Sequence, residues 1–243
     1  MTSRSLRLRA VTAVCAALGS TLLLSACGTD GGDSDQVRAA APTPSMSSHH
    51  SPSEGASASP GTSSASPGGG MTEDQADRKA LVPAAKVTWD KAAATAVGEV
   101  PQGKLTDIEL TRYEGGASAS PAPSPGTPEW AAKVAAPDGT LHRVRVNAVD
   151  GKVIESRAES DQDADDKKQV TDWLGKAKWT PQQAAKAATD RKQGTVTAIE
   201  LDDKDDRTVV WKVDVVTTND WNKTSYDVNA SDGAIVREHV DTD

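Results

Sequence analysis

The sequence predicts an α+β fold of two tandem copies of one module, each a helix packed on a three- to four-stranded antiparallel sheet, after a disordered tether. Three repeated features predict it: a hairpin, a strand and a capped helix. The hairpin 146–154 (VNAVDGKVI) returns as 228–236 (VNASDGAIV), with five of nine positions identical. Both copies read as strand, Asp-Gly turn, strand. A segment that recurs in this way indicates a duplicated module.

Each module contains a helix with a recognisable start. In the second copy, Thr-Pro-Gln-Gln at 180–183 supplies an N-cap, a proline at the first helical position and a glutamine that closes a capping box. Trp179, just before the cap, is predicted to pack on Ala184 as a hydrophobic staple. In the first copy Thr88 takes the cap and Val87 takes the place of Trp179.

An amphipathic helix is predicted to precede the capped one. In the second copy its apolar residues follow the helical spacing i, i+3, i+4 and i+7: Val170, Trp173, Leu174 and Ala177. The corresponding segment before Thr88 contains Pro83, so the helix predicted there is broken at that residue.

The sheet of each copy is predicted from two further strands. The strand 103–110 (GKLTDIEL) matches 194–201 (GTVTAIEL) at five of eight positions. The next strand alternates in both copies, and its inward residues are Trp130, Ala132 and Val134, then Trp211, Val213 and Val215. We predict that both tryptophans lie in the core.

The two copies differ between these strands. The interval from Leu110 to Trp130 is twice as long as the equivalent interval from Leu201 to Trp211. The surplus is an Ala/Ser/Pro-rich tract at 115–128. An insertion that leaves the strand patterns intact is predicted to be a surface loop.

Residues 1–26 have the layout of a signal peptide. Arg4, Arg7 and Arg9 precede an apolar run at 10–24, which is shorter than the about 20 residues that cross a membrane. Leu-Ser-Ala-Cys at 24–27, followed by glycine, resembles the lipobox of bacterial lipoproteins. The resemblance implies cleavage before Cys27 and attachment of a diacylglyceryl group, which carries acyl chains such as palmitate, to its thiol. Two acyl chains would anchor the chain to the cell membrane, facing the outside of the cytoplasm. The alternative is an ordinary secretory signal in which Cys27 is incidental.

Residues 27–71 are predicted to be a disordered tether. They are mainly Gly, Ser, Pro, Ala and Thr, with almost no large apolar residue to offset the entropy of ordering. A coil of about 43 residues reaches roughly 35–40 Å. The adjacent His49 and His50 lack a third ligand in this tract, so they predict no metal site.

Charge and cysteine content exclude two classes of function. The formal net charge is −8, and it becomes −11 without residues 1–26, which contain three arginines and no acid. So acidic a chain is repelled by phosphate backbones, and no nucleic-acid partner is predicted. Cys15 and Cys27 both precede the modules, which therefore have no disulfide, no cysteine metal site and no cysteine nucleophile.

Two acidic stretches could suggest cation binding. Four acids are spaced like ligands of an EF-hand loop: Asp161, Asp163, Asp165 and Asp172. Asp166, however, stands where that loop needs glycine. The alternative is a solvated linker that runs into a helix, whose early acids favour the N-terminal dipole. The run 202–206 reads as a charged turn between strands. We predict no metal site and no cofactor.

No catalytic residue is predicted, so the chain is not expected to be an enzyme. His142 and His239 are the histidines outside the tether, at non-equivalent positions of the two copies, and no metallopeptidase or serine-hydrolase motif is present. Trp221, within the turn sequence 217–223, is a candidate binding residue because an exposed tryptophan commonly anchors an interface. The alternative is that it packs back over its own hairpin.

The motifs together resemble the PepSY domain: a Thr-capped Ala-rich helix, G-x-[LV]-T-x-I-E-L, a Trp-led strand and V-N-A-x-D-G. That family occurs in propeptides of thermolysin-type metallopeptidases and in bacterial envelope proteins, including lipoproteins with paired copies. The resemblance implies repeat 1 at 72–158, an acidic linker at 159–165 and repeat 2 at 166–243. The long loop before Trp130 departs from the pattern.

These features suggest an envelope lipoprotein whose paired modules bind protein and restrain a secreted or membrane peptidase. An open edge of an antiparallel sheet could bind an extended peptide by strand addition, which is a physical route to such restraint. The alternative function is an envelope sensor or cation-binding module that uses the acidic loops. A passive spacer is a third.

Overall fold

The computed structural model describes residues 70–116, 120–204 and 208–241. The predicted signal peptide, the lipidation site Cys27 and the tether up to residue 69, with His49 and His50, lie outside the described residues. So do Asp205 and Asp206 of the second acidic stretch. No helix among the described residues has both the length and the apolar character needed to cross a membrane.

The described chain alternates short helices with groups of strands. In order, the elements are α1 (Glu73–Leu81), a 3-10 turn (Val82–Ala84), α2 (Trp89–Gly98), β1 (Lys104–Arg112), β2 (Pro128–Ala135), β3 (Leu141–Asn147), β4 (Val153–Ala158), α3 (Ala164–Lys176), α4 (Pro181–Arg191), β5 (Thr195–Lys204), β6 (Thr208–Val216), β7 (Lys223–Asn229) and β8 (Ile235–Asp241). We call α1 to β4 the first copy and α3 to β8 the second copy.

The eight strands form one antiparallel sheet in the order β4-β3-β2-β1-β5-β6-β7-β8. The prediction of an α+β fold with antiparallel strands is confirmed, but the prediction of a separate sheet in each copy is wrong. The physical reason is that the first strand of a copy would expose a row of unpaired N–H and C=O groups at a sheet edge. β1 and β5 satisfy these groups by pairing with each other.

The seam between the copies is self-complementary. Ile108 pairs with Ile199, its equivalent in the other copy, and both are fully buried. Asp107 lies opposite Glu200, and Glu109 lies opposite Ala198. Equivalent residues that meet across an interface are typical of a twofold-symmetric dimer, so the two copies associate as the subunits of such a dimer would.

One apolar core serves both copies, on the side of the sheet that α2 and α4 cover. Trp130 and Trp211 are 1% and 2% exposed, which places both predicted core tryptophans in it. The Nε1–H of Trp130 donates to the carbonyl of Val87, and that of Trp211 donates to the carbonyl of Trp179, both at 2.8 Å. Each tryptophan therefore fixes the residue that precedes its own helix.

The predicted capping box is present at the start of α4, whereas the start of α2 has no side-chain cap. In the second copy the capping box is present: Thr180 Oγ1 accepts from Gln183 N at 3.3 Å, and Thr180 N donates to Gln183 Oε1 at 2.9 Å. In the first copy Thr88 is the N-cap residue but makes no side-chain capping hydrogen bond. The third helical position there is Lys91, whose side chain has no hydrogen-bond acceptor for the backbone N–H of Thr88.

The repeated hairpins pack onto these same helix starts. In each hairpin the connection between the strands is longer than the tight turn that Asp-Gly suggests. The first strand ends at Asn147 or Asn229. The carbonyls of these two residues accept from Gly151 N and Gly233 N, respectively. The carbonyl of Ala230 also accepts from Trp179 N at 2.8 Å. The motif V-N-A-x-D-G thus joins the end of the sheet to the start of the helix.

The helices that precede each module are exchanged between the copies. α3, at the start of the second copy, lies against the β2–β3 turn of the first, where Gln162 Nε2 donates to the carbonyl of Gly139 at 3.3 Å. α1, at the start of the first copy, lies against the β6–β7 turn of the second, where Arg78 Nε donates to the carbonyl of Trp221 at 2.8 Å. Each copy therefore contributes to the structure of the other.

The loop before β2 covers a charged cluster of the first copy. Arg145 on β3 forms an ion pair with the buried Glu129 at 2.9 Å and lies 3.6 Å from the buried Glu155. Its guanidinium also stacks 4.8 Å above the ring of Tyr113 and donates to the carbonyl of Gly115, both in the loop. The segment between β1 and β2 thus gives the Arg145 side chain two partners in addition to the carboxylates of Glu129 and Glu155.

Candidate peptide-binding groove

The outer edge of β8 is the first part of the candidate site. β8 is the last strand of the sheet, so no described strand pairs with this edge. Residues 236–240 are all exposed, and the apolar side chains of Val236 and Val240 are 42% and 40% exposed. An accessible strand edge flanked by apolar side chains is the kind of surface that another strand extends.

A groove lies beside this edge, on the side of the sheet that carries α4. Its volume is about 680 Å³, and it is open to solvent. The last turns of α4 form one wall and β8 forms the other, and the lining residues are Ala187, Asp190, Arg191, Gly233, Ile235, Val236, Arg237 and Glu238. The groove therefore combines aliphatic walls with charged groups near its rim.

Two buried hydroxyl groups lie on β7, next to β8. Thr224 and Tyr226 are both fully buried. The Thr224 hydroxyl has no hydrogen-bond partner within the described part of the chain, whereas the Tyr226 hydroxyl interacts with the Glu238 side chain. Tyr226 pairs with Glu238 and Thr224 pairs with Val240, so the hydroxyls belong to the same side of the sheet as the groove. Both hydroxyls are closed off from the surface, so they lie behind the groove and are not among the groups that line it.

Two charged groups of the groove, on Arg191 and Glu238, interact with Tyr226. Arg191 on α4 and Glu238 on β8 form an exposed ion pair with Nη2 and Oε2 at 3.8 Å. Burial raises the pKa of the Tyr226 hydroxyl, the Glu238 carboxylate raises this pKa further, and the Arg191 guanidinium lowers it. Both charged groups therefore lie close enough to Tyr226 to interact with its hydroxyl.

The other two charges of the groove already have partners. Asp190 accepts from Lys186 of the same helix at 2.6 Å. Arg237 binds the buried Asp227 on β7 at 2.8 Å. The charged atoms of Arg191 and Glu238 lie farther apart than those of either of these pairs. An exposed ion pair at this distance contributes little to stability.

The first copy has a different set of residues at the equivalent positions. Alignment of the two hairpins places Val144 at the position of Tyr226 and Ser156 at the position of Glu238. Glu99 is the C-cap residue of the equivalent helix α2, whereas Arg191 is the last residue of α4. Sequence reasoning missed the groove because Tyr226 and Glu238 look like ordinary alternating strand residues. Comparing the two copies position by position would have singled them out.

The structure places the sequence-derived candidate Trp221 in the β6–β7 turn, as predicted. It has a positive φ of 58°, and its side chain is half-buried and packed against the main core. Its backbone is held by Thr217, whose carbonyl accepts from Trp221 N at 2.8 Å, and by Arg78 of α1. Trp221 is therefore not part of the groove, and its role in binding stays a prediction.

The acidic and histidine residues considered above are not gathered into a site. Asp163 caps α3, where its carboxylate accepts from Asp165 N and Asp166 N at 2.9 Å. No group of three potential metal ligands occurs within 70–116, 120–204 and 208–241. His142 lies on β3 and His239 on β8, near opposite ends of the sheet.

Carboxylates do meet at the seam between the copies. Desolvation by the surrounding sheet raises the pKa of Asp107, Glu109 and Glu200, and for Glu109 and Glu200 the charge of Asp107 raises the pKa further. Lys133 lies 3.2 Å from Asp107, and Lys212 lies 3.9 Å from Glu200, and both partly offset this effect. Like charges that face each other across a strand pair weaken that pair.

Comparison with known proteins finds a family match over part of the chain. Residues 178–239, which run from just before α4 into β8, match the family described as "Peptidase propeptide and YPEB domain" (PepSY). The groove therefore lies within the matched segment. The match indicates no enzyme family. A search of curated proteins finds no match.

Two solved structures show a distant likeness. One is described as "a putative lipoprotein (CD1622) from Clostridium difficile 630", with 18% identity over 64% of this chain and 94% of that one, at a TM-score of 0.38. The other is the YpmB protein from Bacillus subtilis, with 16% identity over 64% of this chain and 100% of that one, at a TM-score of 0.26. Neither likeness is close enough to define a function.

Proposed function

We propose that this protein is an envelope lipoprotein, anchored to the membrane through Cys27, that binds an extended segment of a partner protein along β8. The partner class we propose is a secreted or membrane peptidase, which binding restrains. The observation that carries the proposal is the exposed edge of β8 beside the α4 groove. The family description of the segment that contains this edge, which names peptidase propeptides, supports the choice of partner.

Strand addition accounts for binding without a deep pocket. A partner strand would take the unpaired backbone groups of β8, and its alternate side chains would enter the groove. Val236 and Val240 would then be covered, which removes their exposed apolar surface from water. Backbone pairing supplies affinity, and the groove supplies selectivity.

In this proposal the first copy has a supporting role. We assign it to the same family because it repeats the hairpin, the strand and the helix of the second. Its own edge strand, β4, lacks the exposed apolar pair: the residue equivalent to Val236 is Ile154, which is 3% exposed, and the residue equivalent to Val240 is Ala158. The first copy would mainly close the inner edge of the second copy at the seam.

The proposal is tested by placing a lysine on each outer edge in turn, in the full lipid-anchored chain. A lysine on an edge strand opposes the addition of another strand. We expect cells with Val240→Lys to release as much casein-degrading activity as cells that lack the protein, because the partner peptidase is no longer restrained. Cells with Ala158→Lys, the matched control on β4, should behave as wild type.

Two results would contradict the proposal. If deleting the protein leaves peptidase activity unchanged, the chain restrains no peptidase under these conditions and the spacer alternative is favoured. If Ala158→Lys releases as much activity as Val240→Lys, the effect does not belong to β8. Circular dichroism of both variants shows whether each keeps the fold.

A further inference from the structure

Two of the exposed apolar side chains share one face of β8. Within the ranges that the structure describes, the large apolar side chains that are exposed belong to Met71, Val149, Val236 and Val240. Val236, Glu238 and Val240 are alternate residues of β8, so their side chains point to the same face of the sheet. It is the face that carries α4, because Val236 and Glu238 line the groove.

The spacing of the two valines matches another strand. A strand rises about 3.3 Å per residue, so Val236 and Val240 lie about 13 Å apart along β8. A strand that pairs with β8 has the same rise, and its residues i and i+4 therefore meet both valines as cross-strand neighbours. Residues i and i+4 of a helix are about 6 Å apart and can meet one valine at a time. The spacing favours an extended ligand.

The charged side chains that line the groove all have partners of opposite charge. These pairs are Asp190 with Lys186, Arg237 with Asp227, and Arg191 with Glu238. A charged side chain of a ligand would therefore find each of these groups already engaged. The two exposed valines, in contrast, gain when a ligand covers them, because burial removes apolar surface from water.

The other face of β8 is polar. Arg237 and His239 alternate with the valines along the strand and are exposed. A strand that pairs with β8 places every second residue on that face, where polar side chains remain in contact with water. β8 thus presents an apolar pattern on the side of α4 and a polar one on the opposite side.

We infer that β8 recognises an extended segment with two aliphatic side chains four residues apart on one face and polar side chains on the other. The aliphatic side chains pack against Val236 and Val240 on the side of the sheet that carries α4. The inference rests on the proposed function, since it assumes that the partner segment pairs with β8. It assigns the choice of segment to the spacing of the two valines.

The test uses residues 27–243 with Cys27→Ser and three capped peptides, each as long as β8, which has seven residues. Two peptides contain two valines among threonines, either four residues apart, on one face, or three residues apart, on opposite faces. The third is threonine throughout. Nuclear magnetic resonance of the isotope-labelled protein measures the affinities and identifies the amides that each peptide shifts. The composition of the first two peptides is identical, so a difference between them reports spacing alone.

We expect the peptide with valines four apart to shift the β8 amides and to bind about tenfold tighter than the threonine peptide, because two cross-strand valine pairs form. The peptide with valines three apart should bind about threefold more weakly than the first, since it forms one such pair.

Substitutions of the protein locate the preference. Val236→Thr combined with Val240→Thr should abolish it, because both exposed apolar side chains are replaced. Threonine keeps the β-branched shape that suits a strand, and both positions are exposed, so the variant should fold. Val149→Thr is the matched control, since it replaces an exposed valine of the first copy's hairpin, and it should leave the preference unchanged.

Equal affinity of the three peptides for β8, lost in Val240→Lys, would overturn the inference and leave strand addition in place. A preference for valines four apart that survives the double substitution would overturn it as well. Shifts of the β8 amides when the protein alone is diluted would identify a second copy of this chain as the occupant and would also overturn it. If no peptide shifts the β8 amides, both the inference and the proposed function are contradicted.

Discussion

The two copies share one architecture and differ in the groove beside the edge strand. Tyr226 and Glu238 of the second copy replace Val144 and Ser156 of the first, and Val236 is exposed where Ile154 is buried. The shared features, such as the tryptophan that binds the start of each helix, hold the module together. The difference teaches that the same packing is compatible with different side chains beside the outer edge strand of each copy.

The largest expected effect concerns a feature that the copies share. Trp130→Ala and Trp211→Ala should each lower the free energy of unfolding by about 3–5 kcal/mol, because each removes a buried tryptophan and its hydrogen bond. Urea unfolding followed by circular dichroism measures both values. Because one core contains both residues, each variant should still unfold in a single transition. Two separate transitions would show that the copies are independent.

The two copies are expected to differ in how well they tolerate alanine at their hairpin glycines. Gly151 and Gly233 both have positive φ, so alanine costs about 1–2 kcal/mol at either position. A Cβ at Gly151 would meet only Val87 at 3.6 Å, whereas a Cβ at Gly233 would overlap the ring of Trp179. Gly233→Ala should therefore cost about 1–3 kcal/mol more than Gly151→Ala in the same unfolding assay. Equal losses would mean that Trp179 does not pack over this turn.

The helix caps should differ by a smaller amount. Thr180→Ala should lower the free energy of unfolding by about 1 kcal/mol, since it removes a capping box. Thr88→Ala should change it much less, because the Thr88 side chain makes no capping hydrogen bond. Thermal unfolding of the two variants, with Thr180→Ser as the control that keeps the hydroxyl, checks the difference. A larger loss for Thr88→Ala would contradict the described cap.

The smallest expected effect lies at the seam and depends on pH. The pKa of Glu109 is raised in the folded state, so its contribution to stability is present at low pH and is lost as pH rises through that pKa. Glu109→Gln should therefore stabilise the protein at pH 7, by no more than about 0.5 kcal/mol because the side chain is exposed, and should have no effect near pH 4. Glu200→Gln should stabilise the protein less, because it also removes the ion pair between Glu200 and Lys212. If Glu109→Gln stabilises the protein more at pH 4 than at pH 7, the predicted pH dependence is contradicted.

Local patterns allowed the secondary structure to be predicted from the sequence. The Thr180 capping box, the spacing of Val170 and Trp173, and the alternation that begins at Trp211 each depend on residues close together in the chain. The pairing of β1 with β5 could not be read in this way, because it joins residues far apart in the chain and depends on which edge each copy leaves open. The exchange of α1 and α3 between the copies has the same cause.

The groove was missed for a different reason. Tyr226 alternates correctly with its neighbours, and a tyrosine in a strand predicts a buried ring without saying whether its hydroxyl has a partner. Trp221 drew attention instead because its sequence context predicted a turn. The structure confirms the turn and places the side chain against the core, away from the groove.

The most direct test of the central claim compares the outer edges of the two copies in intact cells. A photo-crosslinking amino acid is placed at position 240 on β8 or at the equivalent position 158 on β4 of the lipid-anchored chain, and the crosslinked products are identified by mass spectrometry. We predict a crosslink to a secreted or membrane peptidase from position 240 and none from position 158. A peptidase crosslinked equally from both positions, or from position 158 alone, would contradict the assignment of binding to the second copy.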